Sequence, residues 1–208
     1  LSERRNGLPA AVPGFTICRT CWLFNAQSFV IGRRCCMEIG LSLGSNLGNR
    51  EENIATAKQR IASLPGVAIA AESPIYETEP VDVAEEYAGM RFLNAVLIIN
   101  SNIEPPELFK KLGRIESKLG KESSTSRNMP RTMDIDIIYA GELEYSLPEL
   151  AIPHPRWNKR RFVVRPLADV RPGLIIPGET STVADILLSL PAKAEVVPFK
   201  TETERIKK

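Results

Sequence analysis

At 208 residues, with apolar and charged fractions near those of ordinary globular proteins, the chain has material for one compact domain with an appendage, and not for a second full domain. A net charge of +2 excludes capture of a polyanion by overall field, so any anion site must come from local clustering of bases. No apolar run approaches the roughly 20 residues that a membrane-spanning helix requires, and the run from Phe15 to Phe24 is broken by Arg19.

The cysteines, Cys18, Cys21, Cys35 and Cys36, all precede Met37, so the chain beyond that point needs neither a disulfide nor a thiolate metal site. Cys18 and Cys21 have the spacing of half a zinc site. Cys35 and Cys36 do not repeat it, and no histidine lies nearby. Residues 1–36 carry Arg4, Arg5, Arg19, Arg33 and Arg34 against the single acid Glu3, without clear periodicity. They read as translated sequence upstream of a start at Met37 or, as the second choice, as an organelle transit peptide. The segment is expected to be disordered or loosely docked. The expected location is cytoplasmic, or an organelle matrix on the transit-peptide reading.

From Glu38 to Leu43 a short strand runs into the turn-rich Gly44-Ser45-Asn46-Leu47-Gly48. Ile54, Ala57, Ile61 and Leu64 recur at helical spacing until Pro65-Gly66 stops the element. Val67 to Tyr76 reads as a second strand, with Pro74 marking an edge or a kink. Glu77 to Met90 lacks periodicity and reads as a loop, and Phe92 to Asn100 is a near-continuous apolar strand. Pro105-Pro106 opens a helix with the stripe Leu108, Leu112, Ile115 and Leu119, closed by Gly120. After a polar, basic loop from Lys121 to Asn128, Met133 to Tyr139 forms the fourth strand. Short helices follow near Arg161–Asp169 and Val183–Leu190, beyond the proline-rich stretch Leu147–Pro155.

Strand, helix, strand, strand, helix, strand is the order of an α+β, ferredoxin-like (split βαβ) antiparallel sheet with helices on one face, here with a C-terminal helical extension. The domain is expected over residues 37–200, with 201–208 as a flexible tail.

Asp134-Ile135-Asp136 interrupts an otherwise apolar strand. Alternation puts both carboxylates on one face with Cα atoms about 6.5 to 7 Å apart. Two carboxylates this close repel each other, and magnesium relieves that cost while seeking hard oxygen ligands. An isolated Asp-x-Asp is more often a solvated acidic stripe. Here Lys121, Arg127, Arg131, Arg160 and Arg161 surround it in sequence, and acids that hold a metal beside bases that hold phosphate suit a nucleotide-phosphate site.

The run Arg127-Asn128-Met129-Pro130-Arg131-Thr132-Met133-Asp134-Ile135-Asp136-Ile137-Ile138 resembles the signature of the 6-hydroxymethyl-7,8-dihydropterin pyrophosphokinases. Further matches follow in the family's order: Leu43-Gly44-Ser45-Asn46-Leu47-Gly48, Tyr76-Glu77-Thr78-Glu79-Pro80, Phe92-Leu93-Asn94-Ala95, and Ile152-Pro153-His154-Pro155 with Arg160-Arg161-Phe162. They span the chain from Met37 to about Pro198.

The resemblance implies a ferredoxin-like fold and an ATP- and magnesium-dependent diphosphotransferase of folate biosynthesis. The pterin hydroxymethyl oxygen attacks the β-phosphorus of ATP, giving AMP and the pterin diphosphate. By the same resemblance Asp134 and Asp136 bind a pair of magnesium ions and, with Arg131, form the catalytic set. Arg131 and His154 contact ATP; Lys121, Arg160 and Glu116 are further nucleotide-site residues. Phe92 and Phe162 sandwich the flat pterin, and Thr78, Val81 and Asn94 complete its pocket. Read without the resemblance, Phe92 and Phe162 are core aromatics, Glu116 is a solvated helix face, and His154 is a turn residue between prolines. Met129 stands where the family signature prefers Gly or Ala, Asn128 where some members carry tryptophan, and Ser123 and Ser124 where some carry bases.

The expected partners are the two small-molecule substrates only, with no nucleic acid and no membrane, and the protein is expected to be a monomer. The rival reading from another class is an RNA-binding module of similar element order. It needs a basic sheet face with exposed aromatics, and Asp134 and Asp136 oppose it.

Overall fold

The computed structural model describes residues 36–80, 89–120, 131–191 and 196–200. The expectations for residues 1–35, for the tail 201–208, and for Val81, Lys121 and the departures at 123, 124, 128 and 129 lie outside the described residues. Cys36 is exposed and free.

The elements run β1 (Met37–Ser45), α1 (Arg50–Ala62), β2 (Val67–Glu72), β3 (Tyr76–Thr78), β4 (Phe92–Ser101), α2 (Pro105–Lys118), β5 (Asp134–Ala140), β6 (Tyr145–Ser146), β7 (Ala151–Ile152), α3 (Arg161–Val170), α4 (Val183–Ser189) and β8 (Val196–Pro198). Local chemistry accounts for the helix limits. Asn49 caps α1 by accepting from the Glu52 N–H, and Glu51 and Glu52 complement the positive end of the helix. Beyond Pro65, Gly66 at φ 82° turns the chain into β2. Pro105 occupies the first turn of α2, where a missing N–H costs nothing.

The main sheet is antiparallel in the order β5-β1-β4-β3-β8, with β2 also beside β4. The single strand expected from Val67 to Tyr76 is two strands. Pro74 has no N–H to give to a ladder, and at the break the buried Ser73 substitutes for a rung, its N–H donating to Val96 O and its Oγ accepting from Val96 N. Glu77 and Thr78, expected in a loop, belong to β3 and pair with β4 on one side and β8 on the other. β8 and the β6–β7 hairpin carry too few residues to show a period of two, and no sequence signal announced them.

Alternation along the strands sorts the core into two layers. Ile39, Leu41, Leu43, Leu93, Ala95, Leu97, Ile99, Ile135 and Ile137 meet Ile54, Ala57 and Ile61 of α1 and Leu108, Leu112 and Ile115 of α2. On the opposite face Val96, Ile98, Ile138 and Tyr139 meet Val163, Val164 and Leu167 of α3 and Val183 and Ile186 of α4. Helices on one face therefore describes α1 and α2 alone. The C-terminal helices are not an appendage but the second cover, because β4 is apolar on both faces and must bury both. No helix among the described residues is long and apolar enough to cross a membrane.

A bulge between Gly40 and Leu41 lets Ile138 and Tyr139 both face the α3 side. Gly40 is required there, since a Cβ would run into the Tyr139 ring.

Candidate active site

Asp134 and Asp136 open β5 on the sheet face shared with α3, while Met133, Ile135 and Ile137 are buried beneath them. The carboxylates stay partly exposed, so the apolar alternation of the strand holds two charges at the surface at little desolvation cost. Each has an arginine beside it. Arg131 Nη1 lies 2.8 Å from Asp134 Oδ1, and Arg160 Nη1 lies 4.0 Å from Asp136 Oδ2. Arg160 precedes α3, and its guanidinium stands 5.5 Å over the ring of Phe162 in the first turn of that helix.

Arg131 is fixed from below. Its N–H donates to Asn46 Oδ1 at 2.6 Å, and its carbonyl accepts from Asn46 N at 3.2 Å. Ser45 Oγ and Asn53 Nδ2 both donate to Thr132 O, at 2.6 and 3.1 Å. The Gly44–Gly48 turn and the start of α1 thus clamp the approach to β5. The family resemblance includes this turn without assigning its residues a task; the signal for one is the pair of short polar side chains, Ser45 and Asn46, at the end of an apolar strand.

His154 docks on the far side of β5, its backbone N–H donating to Ile138 O at 2.9 Å. The Arg156 N–H donates to His154 Nδ1 at 3.1 Å, which leaves Nε2 to carry the proton of the neutral ring. Burial, then the guanidinium groups of Arg160 and Arg156, push the imidazole down to about 4, so it is neutral at physiological pH. His154 is therefore a neutral N–H donor beside Arg160 and Arg156 rather than an additional cation.

Glu116 is buried, and not the solvated helix face that its sequence context alone suggests. Its Oε1 accepts from the Ile135 N–H at 2.8 Å, between the two aspartates on the outer edge of the sheet.

Across the same face, Asn94 is buried and donates from Nδ2 to Thr78 Oγ1 at 2.7 Å. Phe92, two residues earlier, projects to this side and is half-buried, as is Phe162, which packs at the margin of the α3 layer. Neither is a sealed core aromatic. The sheet face therefore brings together Asp134, Asp136, Arg131 and Arg160 at one end and Asn94, Thr78 and Phe92 at the other, with Phe162 on the covering helix. Among the described residues no three His, Cys, Asp or Glu side chains converge as a metal cluster. Two half-exposed carboxylates match the habit of magnesium, which takes one or two protein carboxylates and completes its shell from substrate phosphates and water.

A family model described as "7,8-dihydro-6-hydroxymethylpterin-pyrophosphokinase (HPPK)" matches residues 40–172. The chain belongs to this family. Among curated HPPK relatives, the 2-amino-4-hydroxy-6-hydroxymethyldihydropteridine pyrophosphokinase of Pseudomonas aeruginosa is 37% identical over 66% of this chain and 82% of its own. That of Methylorubrum extorquens is 36% identical over 67% of this chain and 86% of its own. The "Folate synthesis bifunctional protein" of Arabidopsis thaliana is 38% identical over 64% of this chain, which spans only 27% of that longer protein. Among solved structures, Plasmodium falciparum HPPK-DHPS with pteroate superposes with a TM-score of 0.58 at 13% identity, over 76% of this chain and 43% of that one. That likeness supports the HPPK fold.

Proposed function

We propose that this HPPK-family chain transfers the pyrophosphoryl group of ATP to 6-hydroxymethyl-7,8-dihydropterin, giving AMP and the pterin diphosphate in folate biosynthesis. The domain that does so is residues 37–200, and its β1-α1-β2/β3-β4-α2-β5 order is the ferredoxin-like one, elaborated by α3, α4 and β8. The observation that carries the reading is the arrangement on one sheet face of a carboxylate pair matched by two arginines at one end and a buried amide with half-buried aromatics at the other.

Phosphoryl chemistry of this kind asks the protein for position and charge stabilisation rather than a covalent nucleophile. Asp134 and Asp136 hold magnesium, which when bound neutralises phosphate charge and favours loss of the acceptor's hydroxyl proton. Partly exposed ion pairs are worth little to folding, so the arginines exchange partners readily: Arg131 and Arg160 turn from carboxylate to phosphate as nucleotide arrives. His154 adds an N–H donor through Nε2. Glu116 acts through the strand, holding Ile135 and with it the spacing of the aspartates. Lys121 is a further phosphate contact.

On the acceptor side, Phe92 and Phe162 stack on the pterin, while Asn94, oriented by Thr78, reads its polar edge, and Val81 lines the pocket. The protein works as a monomer with these two small molecules, without nucleic acid or membrane.

The test is direct. Purified protein with ATP, magnesium and 6-hydroxymethyl-7,8-dihydropterin is expected to release AMP and pterin diphosphate. Asp134→Ala and Asp136→Ala are each expected to lose at least 100-fold in rate while remaining folded, the order of one transition-state charge contact. A folded, magnesium-loaded wild type that makes no product would sink the reading.

A further inference from the structure

Four residues stand side by side across the sheet: Asp134 on β5, Gly44 on β1, Asn94 on β4 and Tyr76 on β3, each the register partner of the next. With strands about 4.8 Å apart, the Cα atoms of Asp134 and Asn94 stand roughly 10 Å apart, with Gly44 midway between them and the Asn94 amide oxygen leaning toward it. On the α3 face this row therefore reads carboxylate, bare backbone, amide.

The fold does not require that bareness. Gly44 is absent from the glycines with positive φ, so an L-residue suits its backbone. A Cβ built on it would stand 3.4 Å from Asn94 Oδ1 and 4.0 Å from Asp134 Cβ, ordinary contacts that displace nothing. Gly40 lies on the same strand and face and differs sharply, for there the Tyr139 ring leaves no room. A glycine inside a strand weakens the strand and gives its neighbours nothing to pack on, and it often marks a place where another group must come close.

We propose that Gly44 is a specificity-determining gap for the acceptor: the bare floor over which its hydroxymethyl arm passes from the ring, held at Asn94, to the carboxylate pair. This rests on the reading under Proposed function. The span suits a flat bicyclic ring carrying a one-carbon alcohol, whose ring edge meets the amide and whose oxygen reaches the metal-binding end. A methyl at position 44 fits the empty protein but occupies the arm's path. It lifts the ring and turns the hydroxyl away from the line of attack, and displacements of this size are costly to a positioned reaction. ATP, held by Arg131, Arg160 and His154, does not cross the gap.

Gly44→Ala decides the matter through three readouts: melting temperature, equilibrium binding of 6-hydroxymethyl-7,8-dihydropterin in the presence of a non-hydrolysable ATP analogue, and steady-state kinetics. The expected result is an unchanged or slightly raised melting temperature, pterin binding weakened at least tenfold, kcat lowered, and KM for ATP within twofold of wild type. Unchanged pterin affinity and kcat in a folded variant overturn the gap while leaving the reaction assignment intact. An unfolded Gly44→Ala also overturns it, since the glycine is then structural. A wild type that binds no pterin and makes no product overturns both readings together.

Discussion

The Glu116 carboxylate accepts a 2.8 Å hydrogen bond from the backbone N–H of Ile135, the residue between Asp134 and Asp136. β5 is an edge strand, and alternate N–H groups on such an edge have no ladder partner. Glu116, buried on α2, fills one of them and ties the helix to the carboxylate strand. Glu116→Leu leaves that N–H buried and unpaired and is expected to cost about 1 to 3 kcal/mol. Glu116→Gln keeps an acceptor in place and should lose less than about 1 kcal/mol. Urea unfolding of the two variants checks the difference. Equal losses would mean that the negative charge, and not the hydrogen bond, is what the position requires.

His154 gives the fold a pH dependence of definite sign. Its pKa is lowered from 6.5 to about 4 in the folded protein, by burial first and then by Arg160 and Arg156. Between those values the unfolded chain takes up a proton that the folded chain refuses, so stability is full above about pH 6.5 and falls as pH drops toward 4. Because the ring is only part-buried, solvent screening limits the loss to about 1 kcal/mol or somewhat more. His154→Asn should flatten that part of the stability profile, as followed by urea unfolding at pH 7, 6, 5 and 4.5. A profile identical to wild type would show that His154 titrates normally.

Much of the acidic end was legible in the sequence because its signals are local. Asp-Ile-Asp in an apolar run gives the face, the spacing and the buried Ile135 by alternation alone. Arg131 was legible as a base beside the pair, and the support from Asn46 and Ser45 was not, because it closes a separation of 85 residues or more that no local pattern encodes. Phe92 and Phe162 gave only a preference for burial; their half-exposure depends on α3 covering part of a sheet face that the sequence reading left open. Glu116 had the opposite problem. An acid on a helix with a strong apolar stripe reads as solvated, and its buried acceptor role exists only because β5 is an edge.

The covering helix is held at its site-facing edge by Tyr76. The Tyr76 hydroxyl donates to Asp169 Oδ2 at 2.6 Å and accepts from Arg165 Nε at 3.1 Å, while Arg165 also pairs with Asp169. Burial, and then the bond to Asp169, raise the Tyr76 pKa, so the phenol remains a donor throughout the neutral range. Tyr76→Phe keeps the ring under the Arg165 guanidinium and removes only the hydroxyl. It is expected to cost about 1 kcal/mol in unfolding free energy. Looser seating of α3, which carries Phe162, should weaken pterin binding several-fold with KM for ATP unchanged. Isothermal titration with pterin and with an ATP analogue separates the two, and a loss confined to ATP would contradict this account of the helix.

Asn46 offers a way to move Arg131 without touching it. The asparagine is buried and meets the Arg131 backbone twice, by side chain and by main chain, so the start of β5 is registered against the end of β1. Asn46→Ala leaves the Arg131 N–H without its side-chain partner at a part-buried position, an expected cost of about 1 to 2 kcal/mol. The larger effect should be kinetic. A guanidinium whose backbone shifts by a fraction of an ångström loses its alignment with phosphate, and roughly tenfold or more in kcat is expected for displaced charge stabilisation. Asn46→Asp retains an acceptor in the same place and should restore most of the stability. Because it adds a negative charge near Arg131, it should restore less of the rate. Measuring kcat and unfolding free energy on the three proteins tests whether stability and rate separate in this way. Rate loss that merely tracked stability across the series would reduce Asn46 to a scaffold residue and leave Arg131 positioned by its salt bridge to Asp134 alone.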